Sequence, residues 1–321
     1  MEQGMDRLEY AHCAICGTKD NEIFMKIRDY QYGVRSEFCV VKCNHCGLLY
    51  TNPRLNAPAV KIVYEKSAGP WDRNKNQTAK KSSFYIRRHP FLRKIWHWFT
   101  GEYLSQMLER SKGKVLDLGC GFGDLLEDLT RRGCDACGVE VNPRAVEACL
   151  KKGLKVAGGT LENAHFENES FDTVILCHLI EHLPDPKATL KEIYRILKPQ
   201  GLVLIYCPNA DSYFADFFGK YWQGWAMPLH FYHFTSRTIQ DLACGAGFKV
   251  NKIRAVTPEW IFSGSLNQYL SDRQRGILLN LQKLGVFNSI FFRLGVAFIT
   301  RIMDLFLPGK GECLRVELKK G

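Results

Sequence analysis

Between residues 114 and 256, short apolar runs alternate with stretches whose apolar positions recur at helical spacing. Lys114–Leu118, 136–140, Phe171–Cys177 and 202–207 read as strands. Residues 124–132, Pro143–Lys151 and 186–197 read as helices, the second opening on a proline, which the first helical turn tolerates. A helix with a serine or threonine cap follows over 236–246, then a strand over Phe248–Val256. A last strand is expected over 313–318. Strands alternating with helices imply βαβ units and a parallel sheet, so the fold class is α/β.

The flanks follow other patterns. Residues 1–50 carry paired cysteines, short β-branched or aromatic runs and glycine turns, and 51–83 is polar with Pro53, Pro58 and Pro70, which reads as connector. Residues 84–108 mix aromatic with basic side chains, including Arg87, Arg88, His89, Arg93, Lys94, Trp96 and Trp98, and read as an amphipathic helix. The apolar segment 277–307 contains Lys283, Arg293 and Arg301, and no run reaches the length of a membrane span. The domain boundaries expected are 1–50 for a cysteine module, 51–110 for linker and helical lid, 111–256 for the α/β core, and 257–321 for a helical insertion with a final strand.

Charge and cysteine content narrow the setting. Lys and Arg number 44 against 33 acidic residues, a formal charge of +11. That excess suits a nucleotide-linked substrate, nucleic acid or an acidic membrane surface, and a solvated basic face accounts for it equally. Thirteen cysteines without a signal-peptide pattern point to a reducing, cytoplasmic compartment with some thiols on metal and others buried. Cys13-Ala-Ile-Cys16 and Cys43-Asn-His-Cys46 are two CxxC pairs, each followed by glycine. Two such knuckles supply the tetrahedral four-sulfur set of structural zinc, with no coordination position left for catalysis. His12, Cys39 and His45 are alternative ligands, and disulfides are the competing reading. Cys134 and Cys137 have no partner pair nearby and read as buried thiols.

The stretch from Val115 to Asp124 carries the chemistry. A strand runs into Gly119, Gly121 and Gly123, and glycine lets a ligand lie against bare backbone. A dinucleotide fingerprint would want glycine where Asp124 stands, and a pyrophosphate would meet that carboxylate. A cationic, phosphate-free ligand would not. Glu140 closes the next strand, where a carboxylate can take ribose hydroxyls.

Asp-Leu-Gly-Cys-Gly-Phe-Gly and Gly-Val-Glu-Val-Asn-Pro resemble the first two motifs of class I S-adenosylmethionine (SAM) methyltransferases. The stretches from Ser170 to Pro186 and from Arg195 to Gly201 resemble the fourth- and fifth-strand signatures of its ubiquinone- and sugar-methylating branch. The resemblance covers about 115–256 and implies a Rossmann-like, seven-stranded sheet. It places Asp117 and the three glycines against the methionine and ribose of SAM, Glu140 on the ribose hydroxyls, and Leu161 over the adenine. It sets His178 close to the transferable methyl. Thr160 and Gln200 depart from residues usual in the family.

For the acceptor, His178, Glu181 and His182 follow the fourth strand, and His230 and His233 follow an aromatic insertion running from Tyr213 to Trp225. His230 is the first choice as base, His233 the second, with Trp222, Trp225 and Tyr232 as a candidate acceptor wall. Each histidine has a plain structural alternative as a satisfied, partly buried side chain. The expected function is methyl transfer to a small, anionic acceptor such as a sugar nucleotide, a lipid-linked saccharide or a secondary metabolite, on oxygen or carbon. An RNA methyltransferase and a non-catalytic SAM-binding scaffold are the alternatives. Nucleic acid is the weaker partner, because an Asn-Pro-Pro-Tyr type motif is missing after the fourth strand. The 277–307 segment is compatible with peripheral membrane contact, a homodimer contact or internal packing.

Overall fold

The computed structural model describes residues 7–34, 36–66, 104–273 and 289–321. Most of the aromatic–basic lid stretch, 84–103, and residues 277–288 of the apolar segment lie outside the described residues. In chain order the N-terminal elements are β1 (Leu8–Glu9), β2 (Asn21–Arg28), β3 (Glu37–Cys43), β4 (Leu49–Thr51), β5 (Arg54–Leu55) and α1 (Ala57–Lys66). Then come α2 (Leu104–Arg110), β6 (Lys114–Leu118), α3 (Asp124–Arg131), β7 (Asp135–Glu140), α4 (Pro143–Lys151), β8 (Val156–Gly158), β9 (Phe171–Cys177), α5 (Pro186–Ile196) and β10 (Leu197–Pro208). The last are α6 (Tyr213–Phe218), β11 (Tyr232–His233), α7 (Ser236–Gly245), β12 (Phe248–Val256), α8 (Glu259–Arg273), α9 (Ile290–Phe306) and β13 (Cys313–Lys320). The chain divides into two compact units, each discontinuous: 1–102 with 208–235 and 255–313, and 103–207 with 236–254 and 314–321.

The second unit is built on a seven-stranded sheet of order β12-β13-β10-β9-β6-β7-β8. β6 pairs in parallel with both β7 and β9, and β10 continues in parallel with β9. The chain therefore moves outward from β6 to β8 and returns to the other side of β6 at β9. Ligands of such sheets sit beyond the carboxyl ends of the strands at that reversal. The strands are buried on both faces, which explains their nearly continuous apolar runs: Val115, Leu116, Val174, Ile175, Leu176 and Val203 have no exposed surface. α3 turns Leu125, Leu126 and Leu129 inward. The start of α4 is set by Asn142, whose side chain caps Arg144 N, and by Pro143. Asp185 caps α5 through Ala188 N.

The first unit holds a four-stranded antiparallel sheet, β11-β4-β3-β2. β11 lies nearly two hundred positions from its partner strand, pairing Tyr232 with Tyr50 and His233 with Leu49. The polar stretch read as connector is structured from Thr51 to Lys66, and the reason is side-chain bonding. Thr51 is buried and donates to the His230 carbonyl at 2.8 Å. Arg54, 9% exposed, donates to Glu9 at 2.7 Å and to the Tyr232 hydroxyl at 3.1 Å. Most of the apolar C-terminal segment that is described forms α9. That helix turns Val296 and Ala297 inward and leaves Phe298, Ile299, Leu305 and Phe306 exposed. No helix among the described residues is long and apolar enough to cross a membrane.

Candidate active site

The glycine loop after β6 is possible only because its glycines adopt left-handed backbone: φ is 73° at Gly119, 52° at Gly121 and 79° at Gly123. Two of them are also packed tightly. A Cβ on Gly119 would lie 2.8 Å from the Leu179 side chain, and one on Gly123 would lie 2.7 Å from Leu154 and 2.9 Å from the Cys149 sulfur. Gly121 differs, since nothing lies within 4 Å of where its Cβ would be. Its amide donates to Glu140 Oε2 at 2.8 Å, while Asn142 N donates to Oε1 at 2.8 Å. The loop and the end of β7 are thus tied together by one carboxylate, with Gly121 presenting bare backbone to open space.

Asp117, 2% exposed, sits at the carboxyl end of β6. Burial, and then the charge of Glu140, push its carboxyl up from 3.8 to about 7. Both effects oppose ionisation, and a cation bound beside Asp117 would counter both. Leu161 is buried, and the Thr160 hydroxyl donates to Asn163 at 2.9 Å.

At the end of β9 the chain turns through His178, whose φ of 50° is a left-handed value unusual for a residue other than glycine. His178 N donates to the Tyr206 carbonyl at 2.7 Å, and its ring meets the Tyr206 ring edge-on at 5.0 Å. Its Nδ1 is 3.3 Å from Oε1 of Glu181, a carboxylate with no exposed surface. The other oxygen of Glu181 is buried without a hydrogen-bond partner among the described residues. His182 is half-buried in the same short turn. The second unit therefore contains every residue expected for SAM, together with His178, Glu181 and His182.

The other expected residues lie in the first unit. His233 is 2% exposed, packed edge-on to Trp225 at 4.9 Å, with Nε2 3.3 Å from the Thr51 hydroxyl. Burial pushes it down to about 3, so it is neutral at physiological pH. His230 is 8% exposed, with Nδ1 2.8 Å from the Gly224 carbonyl. Trp222, Trp225 and Tyr232 are all buried.

The four cysteines Cys13, Cys16, Cys43 and Cys46 converge, with all four sulfurs within 4.8 Å of one another. Cys13 and Cys46 are 3.3 Å apart and Cys16 and Cys43 3.6 Å. Sulfurs about 2.3 Å from a tetrahedral zinc stand about 3.8 Å apart, so the cluster has the size zinc requires. Each knuckle turns on its glycine: Gly17 N donates to Cys13 O at 2.8 Å and Gly47 N to Cys43 O at 3.0 Å, with φ of 76° and 78°. Cys137 stays apart in β7, its thiol pushed up to about 11 by burial.

Residues 89–253 match the family described as a methyltransferase domain. The chain belongs to that family. Its glycine loop and the reversal of its strand order at β6 give it the Rossmann-like fold of class I SAM methyltransferases. A ubiquinone biosynthesis O-methyltransferase from Xanthomonas euvesicatoria pv. vesicatoria is 33% identical over 115 residues, covering 34% of this chain and 48% of that protein. The corresponding protein of Aliivibrio fischeri is 32% identical over 119 residues, covering 34% and 51%. The chain thus spans about half the length of the curated relatives it matches. Among solved structures, a SAM-dependent methyltransferase from Thermotoga maritima is 20% identical with a TM-score of 0.47, covering 74% of this chain and 98% of that one.

Reading the sequence locally missed Glu312, a fully buried carboxylate near the C-terminus. It accepts from Trp222 Nε1 at 2.6 Å, from Ser212 Oγ at 2.9 Å and from Phe214 N at 2.9 Å. Nothing around position 312 in the sequence signals this, because its partners lie about a hundred residues away.

Proposed function

We propose that the protein transfers the methyl group of SAM to a small, anionic acceptor, on oxygen or carbon, with His230 as the acceptor-side base. The observation that carries the donor half is the glycine loop tied to Glu140 beside Asp117. Two neighbouring carboxylates, one of them desolvated, disfavour an anionic ligand and fit a sulfonium. On this reading Asp117, Gly119, Gly121, Gly123, Glu140 and Leu161 hold SAM, and His178, fixed by Glu181, lines the methyl side. SAM, when bound, supplies the electrophilic methyl group. The chain's own work is alignment, exclusion of water and acceptance of the acceptor's proton.

The acceptor half rests on other support. The relatives' names speak of O-methylation in ubiquinone biosynthesis, but they match only about a third of this chain. The charge of +11 favours an acidic acceptor, and a sugar nucleotide or a lipid-linked saccharide has that chemistry. The zinc expected in the four-cysteine cluster is structural, since four thiolates fill its coordination.

The test is transfer of labelled methyl from SAM to a panel of sugar nucleotides, polyprenyl-linked saccharides and catechols. Transfer to one class, lost in His230→Gln with SAM affinity retained, would establish the reading. Transfer undiminished in His230→Gln would remove His230 as base. SAM binding without transfer to any class would favour a scaffold.

A further inference from the structure

Glu312 and Trp222 are joined by a hydrogen bond of 2.6 Å across ninety positions of sequence. Trp222 is 1% exposed and meets Trp225 edge-on at 5.1 Å. Its six-membered ring lies directly against Gly224: a Cβ there would fall 2.2 Å from two ring carbons. The peptide at Gly224 therefore passes the indole at a distance open only to glycine, and an indole fixed at its nitrogen fixes that peptide in turn. The Gly224 carbonyl is 2.8 Å from Nδ1 of His230. A carbonyl oxygen only accepts, so Nδ1 carries a proton, and in the neutral ring the lone pair is then on Nε2.

We propose that Glu312 is a positioning residue for His230: acting through Trp222 and Gly224, it holds the imidazole as its Nδ1–H tautomer with Nε2 as the proton-accepting nitrogen. The proposal rests on His230 as acceptor-side base and adds which nitrogen accepts and what keeps it so. Ser212 and Phe214 complete the carboxylate's anchoring, so the brace ends in a buried group with three donors. In the wrong tautomer a base of this kind presents an N–H where a lone pair is needed, which is costly in comparable dyads.

The test is nitrogen NMR of the full-length, zinc-loaded protein carrying 15N-histidine, with SAM bound and no acceptor. His230→Gln identifies the His230 signals by their loss. The expected wild-type spectrum has Nδ1 as the protonated, pyrrole-type nitrogen and Nε2 as the pyridine-type one. Trp222→Phe keeps an aromatic ring but loses the donor, and Glu312→Leu loses the acceptor. Each should turn the single tautomer into a mixture with the minor form at about one third or more, while Glu312→Gln, still an acceptor, restores it. Zinc content and thermal unfolding check that each variant is folded, since the four cysteines lie in the same unit as the substitutions. A wild-type ring protonated at Nε2 overturns the proposal. So does an unchanged Nδ1–H tautomer in folded Trp222→Phe and Glu312→Leu. Because the tautomer is read without any acceptor, its failure is separate from a failure of His230 in the transfer assay.

Discussion

Replacing Asp117 by asparagine should make the SAM-free protein more stable at neutral pH and at the same time a poorer binder of SAM. Asp117 is 2% exposed, and its pKa stands at about 7 where an ordinary aspartate has 3.8. A rise of that size corresponds to about 4 kcal/mol. The sign follows from proton binding. The folded state holds the proton more tightly than the unfolded one, so this contribution is fully present below pH 3.8 and is lost as pH rises through about 7. Asparagine carries no such cost, so Asp117→Asn should recover up to about 4 kcal/mol at pH 8 and progressively less towards pH 4. Glu312, which burial pushes up to about 8, contributes with the same sign, and it is present in both proteins, so the difference between them isolates Asp117.

SAM affinity should move the other way. A sulfonium requires the ionised carboxylate, so wild-type affinity should climb up to about tenfold per pH unit below 7 and level off above 8. At pH 7 each binding event should release about half a proton, measurable by calorimetry in buffers of different ionisation enthalpy. In Asp117→Asn the pH dependence should vanish, and affinity at pH 8 should fall by about tenfold or more, the scale of one charge-assisted contact. Wild-type affinity flat from pH 5.5 to 8.5, with the variant no weaker, would refute this account of the site.

Metal analysis should find zinc in the purified chain, absent in Cys16→Ser and in Cys43→Ser but retained in Cys137→Ser, whose thiol lies outside the cluster. Gly123→Ala should cost about 1–3 kcal/mol in thermal or denaturant unfolding, since it adds strain at φ 79° to contact with Leu154 and Cys149. An alanine variant as stable as wild type would contradict that packing. His233, neutral and buried at about 3, contributes stability that is present above pH 6.5 and lost as pH falls towards 3. His233→Gln should therefore flatten the decline in unfolding free energy between pH 6.5 and 4, read from urea melts at successive pH values.

The parallel sheet and its glycine loop are open to sequence reading because their signals are local. Each strand of the parallel sheet is buried on both faces, so it announces itself as an apolar run, and the glycine loop is written in consecutive residues from 117 to 123. The ends were less legible. β10 begins at Leu197, directly after α5: Leu197 pairs with Phe171 and Leu202 with Thr173, and the Lys-Pro-Gln-Gly stretch between them is an irregularity inside the strand, with Gln200 at φ 63°. Thr51 and Arg54 belong to the polar stretch expected as connector, and they are buried because their partners, His230 O and Tyr232 OH, lie nearly 180 positions downstream. The burial of His233 is not legible either, since it comes from packing against Trp225 and Thr51 and not from its neighbours in sequence.

The placement of the less legible material has a common cause. The sheet of the second unit is completed by β12 and β13, and the chain leaves between them at Val256 to return at Cys313. The two ends of that excursion are close: a Cβ on Gly311 would lie 2.5 Å from Val256 N. The excursion from β10 is fastened to the same place. Asn209, wholly buried, donates through Nδ2 to the carbonyls of Gly309 and Gly311, while its amide donates to Glu312 O. An excursion whose ends are held together adds little loop-closure cost however long it becomes, so such points accept large insertions without disturbing the strands. The strands must keep their register, while the segments leaving at 208 and 256 are free to vary. The curated relatives match over only 34% of this chain. Trp222, Gly224, His230 and Glu312 are announced by no local motif, and only the folded excursions bring them together.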